Sequence, residues 1–155
     1  VNWDPGSANP AVGSFMPWFE WALERTTGPV LELGGGYFSS PAVHRAYKSG
    51  REAWTYEYDE AWAVELRQRF SQPVVTDFAE LPNIEWDVVL VDGEGWNRWL
   101  FLDSLRPLTL LFVVHDSQDP WIPEEVLSSF KYRTNRETDP RTTLVSDTLD
   151  VRVAP

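Results

Sequence analysis

Between Pro29 and Ser40 a short apolar β run, Val30-Leu-Glu-Leu33, breaks directly into Gly34-Gly35-Gly36 and then, past Tyr37-Phe38, into two serines. Such a sequence reads as a strand, a tight turn and a helix start. Glycine suits the turn because a side chain would keep a ligand off the backbone, and because so sharp a reversal often needs positive φ. The spacing predicts a helix from about Pro41 to Lys48 with Ser39 or Ser40 as its cap, proline being tolerated in a first turn.

The alternation then repeats. Ala53–Tyr58 reads as a second strand, and Asp59 caps a helix whose Trp62, Leu66 and Phe70 share a face. Pro73–Thr76 is a short third strand, and Trp86–Val91 a fourth with the unbroken apolar character of a strand buried on both faces. A helix over Trp96–Leu105 stops at Pro107, Leu108–Val114 is a fifth strand, and Pro123–Phe130 a short helix. Further strands follow within Tyr132–Val153, around the Asp139-Pro140 turn, with their pairing open. Before all of these, Phe15, Trp18, Phe19, Ala22 and Leu23 form the stripe of a helix ending near Arg25. This order predicts an α/β fold, a doubly wound, mostly parallel sheet with helices on both faces, in one domain over 1–155 whose first 13 residues form an irregular arm.

Charge and composition narrow the function. With 24 acidic and 13 basic residues the net charge is −11, which repels a phosphate backbone, so nucleic acid is not an expected partner. No apolar run approaches the roughly 20 residues that cross a bilayer, and no membrane partner is expected. The chain has no cysteine, hence no thiol nucleophile or thiolate metal site, which suits a cytoplasmic setting. Neither a Ser-His-Asp nucleophile pattern nor a P-loop lysine is legible.

In a parallel sheet ligands bind beyond the carboxyl ends of the strands. That selects Gly34–Gly36, Glu57, Asp77, Asp92–Trp96 and His115–Ser117. Glu57 lies 23 positions past Gly34, close to the roughly 20 expected for an acid that accepts both hydroxyls of a nucleoside ribose. The glycine turn lacks the third glycine of the G-x-G-x-x-G dinucleotide fingerprint, Ser39 standing in its place. His115, at the end of the fifth strand, is the imidazole placed to take an acceptor's proton, to orient Asp116, or to sit buried with its hydrogen bond satisfied. His44, on the first crossover helix, reads as a surface or packing residue.

Taken together, Val30–Ser40 resembles the first motif of the class I S-adenosylmethionine-dependent methyltransferases, with Glu32, Gly34 and Gly36 in the places of its acid and glycines. Tyr56-Glu-Tyr-Asp59 is similar to the family's second motif, Val75-Thr-Asp-Phe78 to its third, Asp87–Gly93 to its fourth and Leu111–Asp116 to its fifth strand and strand end. The resemblance implies a seven-stranded Rossmann-like sheet whose last strand runs antiparallel between the fifth and sixth. It implies S-adenosylmethionine as cofactor, contacted by Glu32, Gly34, Gly35, Gly36, Glu57, Tyr58, Asp77, Phe78 and Asp92, with Asp77 at the adenine amino group and Glu57 at the ribose.

Val91-Asp-Gly-Glu94 and His115-Asp116 further resemble a subset of small-molecule O-methyltransferases, of catechol-type and antibiotic sugar-modifying kinds, which hold Mg²⁺ at these two strand ends. That implies Asp92 and Asp116 as metal ligands, with Glu94 or Ser117 as a third, and Asp92 and His115 as catalytic residues. Unlike those enzymes, this chain has Gly95 where a lysine or a nearby histidine stands, and Ser117 where the catechol type has asparagine. A small-molecule oxygen acceptor is implied, in a pocket lined by aromatic residues such as Trp18, Trp96 and Trp121, with Trp3, Met16 and Glu94 nearby. Either the amino-terminal arm or a second subunit of a homo-oligomer closes it. A non-catalytic S-adenosylmethionine-binding subunit or sensor is the other function such a domain can serve.

Overall fold

All four residues of the strand that opens the sheet are buried, and they divide by parity between two cores. In the computed structural model, which describes Gly6 and residues 10–93, 98–120, 122–136, 138 and 140–155, β1 (Val30–Leu33) sends Val30 to one face of the sheet and Leu31 and Leu33 to the other. The same alternation governs β4 (Trp86–Val91) and β5 (Thr109–Val114). Val88, Leu90, Leu111 and Val113 pack with α1 (Met16–Arg25) and α2 (Ser39–Lys48), while Val89, Val91, Phe112 and Val114 meet Leu102 and Leu105 of α4 (Arg98–Leu105) and Leu127 of α5 (Glu124–Ser128). A period of two on a strand covered on both faces leaves no polar side, which is why these strands read as continuous apolar runs.

Among the described residues the sheet has seven strands, in the order β3 (Val74–Val75), β2 (Ala53–Tyr56), β1, β4, β5, β7 (Thr142–Ser146), β6 (Tyr132–Arg136). β2, the two-residue β3, β1, β4 and β5 are parallel. β7 inserts antiparallel between β5 and β6, as the family resemblance implies. The strand order therefore reverses direction between β1 and β4. That is the switch point at which such sheets open a crevice.

Local chemistry sets several boundaries. Asp59 caps α3 (Glu60–Arg69), its carboxylate accepting from Trp62 N at 3.0 Å. α2 begins at Ser39 rather than Pro41, and neither serine caps it. The Ser40 hydroxyl is committed elsewhere, donating to the Glu32 carboxylate and accepting from Gly36 N. The second and third strands stop short of the expected Tyr58 and Thr76, and a 3₁₀ turn over Arg106–Leu108 carries Pro107 between α4 and β5. Among the described residues no helix is long and apolar enough to cross a membrane.

Candidate active site

The carboxyl ends of β1 and β4 meet backbone to backbone. Gly34 has φ +89° and Gly93 φ +87°, and a Cβ on Gly34 would lie 2.6 Å from the Gly93 Cα and amide nitrogen. No L side chain fits that contact, and few tolerate that φ. Gly35 is small for a different reason: its Cβ would strike Leu66 of α3 at 2.3 Å. Gly36 is the open one, with only Ser39 Oγ within 4 Å of where a Cβ would stand, at 3.5 Å. Of the three glycines, it leaves free room above the backbone.

Two buried glutamates hold this turn from behind. Glu57 accepts from Gly35 N at 3.0 Å with one oxygen and from Asp59 N at 2.9 Å with the other, tying the glycine turn to the start of α3. Burial raises its pKa, and the two backbone donors pull it partly back. Each oxygen keeps a second lone pair. Glu32 is fully buried, accepting from Ser40 Oγ at 3.0 Å and Thr55 Oγ1 at 2.7 Å. Desolvation lifts its pKa to about 7 against the pull of those hydroxyls. Glu32 does not line the cavity, contrary to its expected place among the cofactor contacts. It acts on the turn through Ser40.

Above the turn lies a cavity of about 540 Å³, floored by Gly34, Gly35 and Gly36 and walled by Asp92, His115 and Asp116. Its volume falls within the roughly 300–1,000 Å³ of small-molecule sites. Six residues singled out in the sequence thus converge on one space. Trp62, Tyr37, Arg98, Val12 and Pro140 complete much of the wall without having been expected there. Trp62 fixes its indole on the turn, Nε1 donating to Gly35 O at 2.7 Å, and meets Tyr37 edge-on at 5.2 Å.

His115 is 2% exposed, and its imidazole is engaged at both nitrogens. Nδ1 lies 3.2 Å from Asp92 Oδ1 and 3.7 Å from Asp116 Oδ2, and Nε2 lies 3.3 Å from Ser14 Oγ. An ionised carboxylate only accepts, so with neutral His115 the proton sits on Nδ1 and Nε2 carries the lone pair. Ser14, His115 and Asp92, 101 and 23 positions apart along the chain, therefore stand in line. No sequence pattern announces that line, because its members come from the start of α1 and the ends of β5 and β4. The Ser14 hydroxyl also contacts Pro140 O at 3.3 Å, and its single hydrogen serves one of the two partners at a time.

Asp116 follows β5 at φ +51°, a left-handed backbone that aspartate adopts more readily than most residues. Between its carboxylate and that of Asp92 stands Arg98, 5% exposed. Its Nε donates to Gly93 O at 2.6 Å and one terminal nitrogen to His115 O at 3.0 Å, while the other lies 3.9 Å from Asp92 Oδ1 and 3.6 Å from Asp116 Oδ2. At such distances each pair attracts by about 4 kcal/mol gross for an effective dielectric of ~20, before desolvation. Asp92, His115 and Asp116 have the mutual spacing of metal ligands, with donor atoms within 4.8 Å of one another. Beside this set a buried guanidinium already supplies positive charge to both carboxylates. The signal for Arg98 in the sequence is faint: a lone cation heading the apolar stretch Arg98-Trp-Leu-Phe-Leu102, five residues after Gly93.

Other expected site residues are placed apart from the cavity. Trp18 turns away from it, its indole donating to Pro155 O at 2.9 Å. Asp77 caps a 3₁₀ turn through Ala79 N at 2.9 Å, Phe78 stacks on Phe101 at 5.2 Å, and Tyr58 is exposed. His44 accepts from Ser71 N at 3.1 Å, a packing role as expected. Ser117, the other expected third ligand, donates to Arg141 O and accepts from Thr143 Oγ1. Glu94, Gly95, Trp96, Trp121 and Trp3 lie outside the described residues.

Among solved structures, the chain is similar to the O-methyltransferase from Bacillus cereus in complex with SAH, at 15% identity and a TM-score of 0.65 over 94% of this chain and 84% of that one. The chain has the class I methyltransferase fold. It is also similar to the O-methyltransferase TomG from Streptomyces achromogenes, which is involved in tomaymycin synthesis and was solved with SAM, at 17% identity and a TM-score of 0.60 over 92% and 82% of the two chains. Monomeric WbdD shares this methyltransferase fold at 17% identity and a TM-score of 0.58 over 91% of the chain, which spans about two-fifths of WbdD, 42% of its length. No protein-family model and no curated protein sequence matches the chain.

Proposed function

We propose that this protein is an S-adenosylmethionine-dependent methyltransferase acting on a small-molecule oxygen acceptor. The observation that carries the reading is the cavity at the β1/β4 switch point, with the bare glycine turn on one side and the His115–Asp92 pair on the other.

The residues present suit the cofactor. Room above Gly36 admits a ligand against the backbone, and Glu57, 5% exposed and just outside the cavity lining, keeps a second lone pair on each oxygen for a ribose diol at the end of β2. Asp77 and Phe78 lie beyond the cavity lining, at the end of β3, and are proposed for the adenine edge on the family resemblance alone. Among the described residues the wall carries a formal charge of −1, from Asp92 and Asp116 against Arg98 with His115 neutral, which favours a sulfonium cation over its neutral thioether product. When bound, S-adenosylmethionine supplies an electrophilic methyl group whose bonding pair leaves with sulfur as the new C–O bond forms.

The chain then has to position the acceptor and accept one proton. His115 Nε2 holds the lone pair for that proton, and Asp92 at Nδ1 stabilises the resulting imidazolium. Asp92 orients the ring at Nδ1 before the acceptor arrives, and the Nε2 lone pair is available when the Ser14 hydrogen turns to Pro140 O.

The test is calorimetry with S-adenosylmethionine and S-adenosylhomocysteine, followed by transfer of labelled methyl to a panel of phenols and alcohols. Stoichiometric binding and labelled product are expected. Binding without transfer to any acceptor would favour a sensor or subunit role, and NADH binding in place of either ligand would overturn the reading.

A further inference from the structure

Arg98 differs from the other arginines of this chain in being buried inside the cavity wall. Its bonds to Gly93 O and His115 O clamp it to the ends of β4 and β5. Its remaining nitrogen sits between Asp92 and Asp116 at 3.9 and 3.6 Å, too far for direct hydrogen bonds. Among the described residues no acceptor lies within hydrogen-bond reach of that nitrogen, which leaves its two hydrogens for an atom entering the cavity. A divalent ion ligated by both carboxylates would lie against the guanidinium, like charge to like charge.

We propose that Arg98 does within the chain what a divalent cation does in a chelating O-methyltransferase, so that the site takes up no Mg²⁺ and acts on acceptors with a single hydroxyl. A metal that activates its acceptor by chelation needs two adjacent acceptor oxygens to complete its shell. A guanidinium nitrogen needs one. Arg98 donates to the acceptor oxygen while the hydroxyl proton passes to His115 Nε2; the oxygen's pair forms the C–O bond and the C–S pair stays with sulfur. The acceptor part of this inference rests on the methyl-transfer reading, whereas the charge argument stands without it.

The two parts are tested separately on the full chain. After dialysis against EDTA, a Mn²⁺ titration followed by electron paramagnetic resonance should show only free Mn²⁺ for the wild type, and Arg98→Met, which uncovers the carboxylate pair, should gain a bound ion. Stoichiometric uptake by the wild type that is lost in Asp116→Asn overturns the proposal, as does a folded Arg98→Met protein that binds none. If Arg98→Met fails to fold, the wild-type titration decides. In EDTA, a phenol and its catechol analogue should be methylated at rates within a few-fold of each other. Catechol turnover that appears only on adding Mg²⁺ overturns the acceptor assignment, while failure to bind S-adenosylhomocysteine at all sinks the methyl-transfer reading and leaves the Mn²⁺ result standing.

Discussion

Glu32 gives the sharpest quantitative expectation, because it is ionisable, fully buried and at the centre of the strand that carries the glycine turn. Its pKa rises from 4.5 to about 7, chiefly through desolvation. Below pH 4.5 the carboxyl is protonated folded or unfolded and costs nothing. Between pH 4.5 and 7 the unfolded chain releases the proton and the folded one keeps it, so stability falls as pH rises. Above pH 7 both states are ionised and the full penalty is present. At about 1.4 kcal/mol per pH unit, the gap amounts to about 3 kcal/mol. Glu32→Gln keeps the shape and removes the titration, so its stability relative to wild type should climb by about 3 kcal/mol between pH 4.5 and 8. Urea unfolding at a series of pH values reads this as a differential midpoint shift of about 1.5 M for an m-value of about 2 kcal/mol per M. Glu57, whose pKa is also raised, is present in both proteins and cancels to first order. A constant offset between the two curves across this range would refute the assignment of a raised pKa to Glu32.

Gly34→Ala should lower stability by roughly 1–3 kcal/mol, from positive φ and the 2.6 Å clash with Gly93. Gly36→Ala should leave the melting temperature near wild type while weakening S-adenosylhomocysteine binding; a Gly34→Ala protein as stable as wild type would count against the close approach. Glu57→Gln sets an amide N–H₂ against the Gly35 or Asp59 amide, and should reduce cofactor affinity by about 1–3 kcal/mol in calorimetry. Unchanged affinity there removes Glu57 from the ribose. His115→Ala should lower kcat by about 10²–10⁴ with little change in S-adenosylhomocysteine affinity, and an unaltered kcat would reassign the base.

The parallel part of the fold and the floor of the site were legible in the amino-acid order because both depend on local chemistry. A strand buried on two faces must be apolar throughout, as Trp86–Val91 and Thr109–Val114 nearly are, and a turn with φ +89° pressed against another backbone calls for glycine. Asp59 announces its helix by its own side chain. Residue pairs that meet only through strand order leave no such trace. Arg98 reaches the strand ends because α4 lies against β4 and β5, and Ser14 reaches His115 across 101 positions because the start of α1 lies beside the end of β5. Ser40, one of the two serines expected to cap a helix, gives its hydroxyl to Glu32, because a fully buried carboxyl needs a donor. Trp18, periodic with the core and aromatic like a pocket residue, went to the carbonyl of Pro155, a partner 137 positions away. Sequence alone determined the strands, the turn and the acids at their ends. Only the tertiary structure decided that the acidic pair would be answered by an arginine, because charge compensation is settled between elements that are distant in sequence and adjacent in the fold.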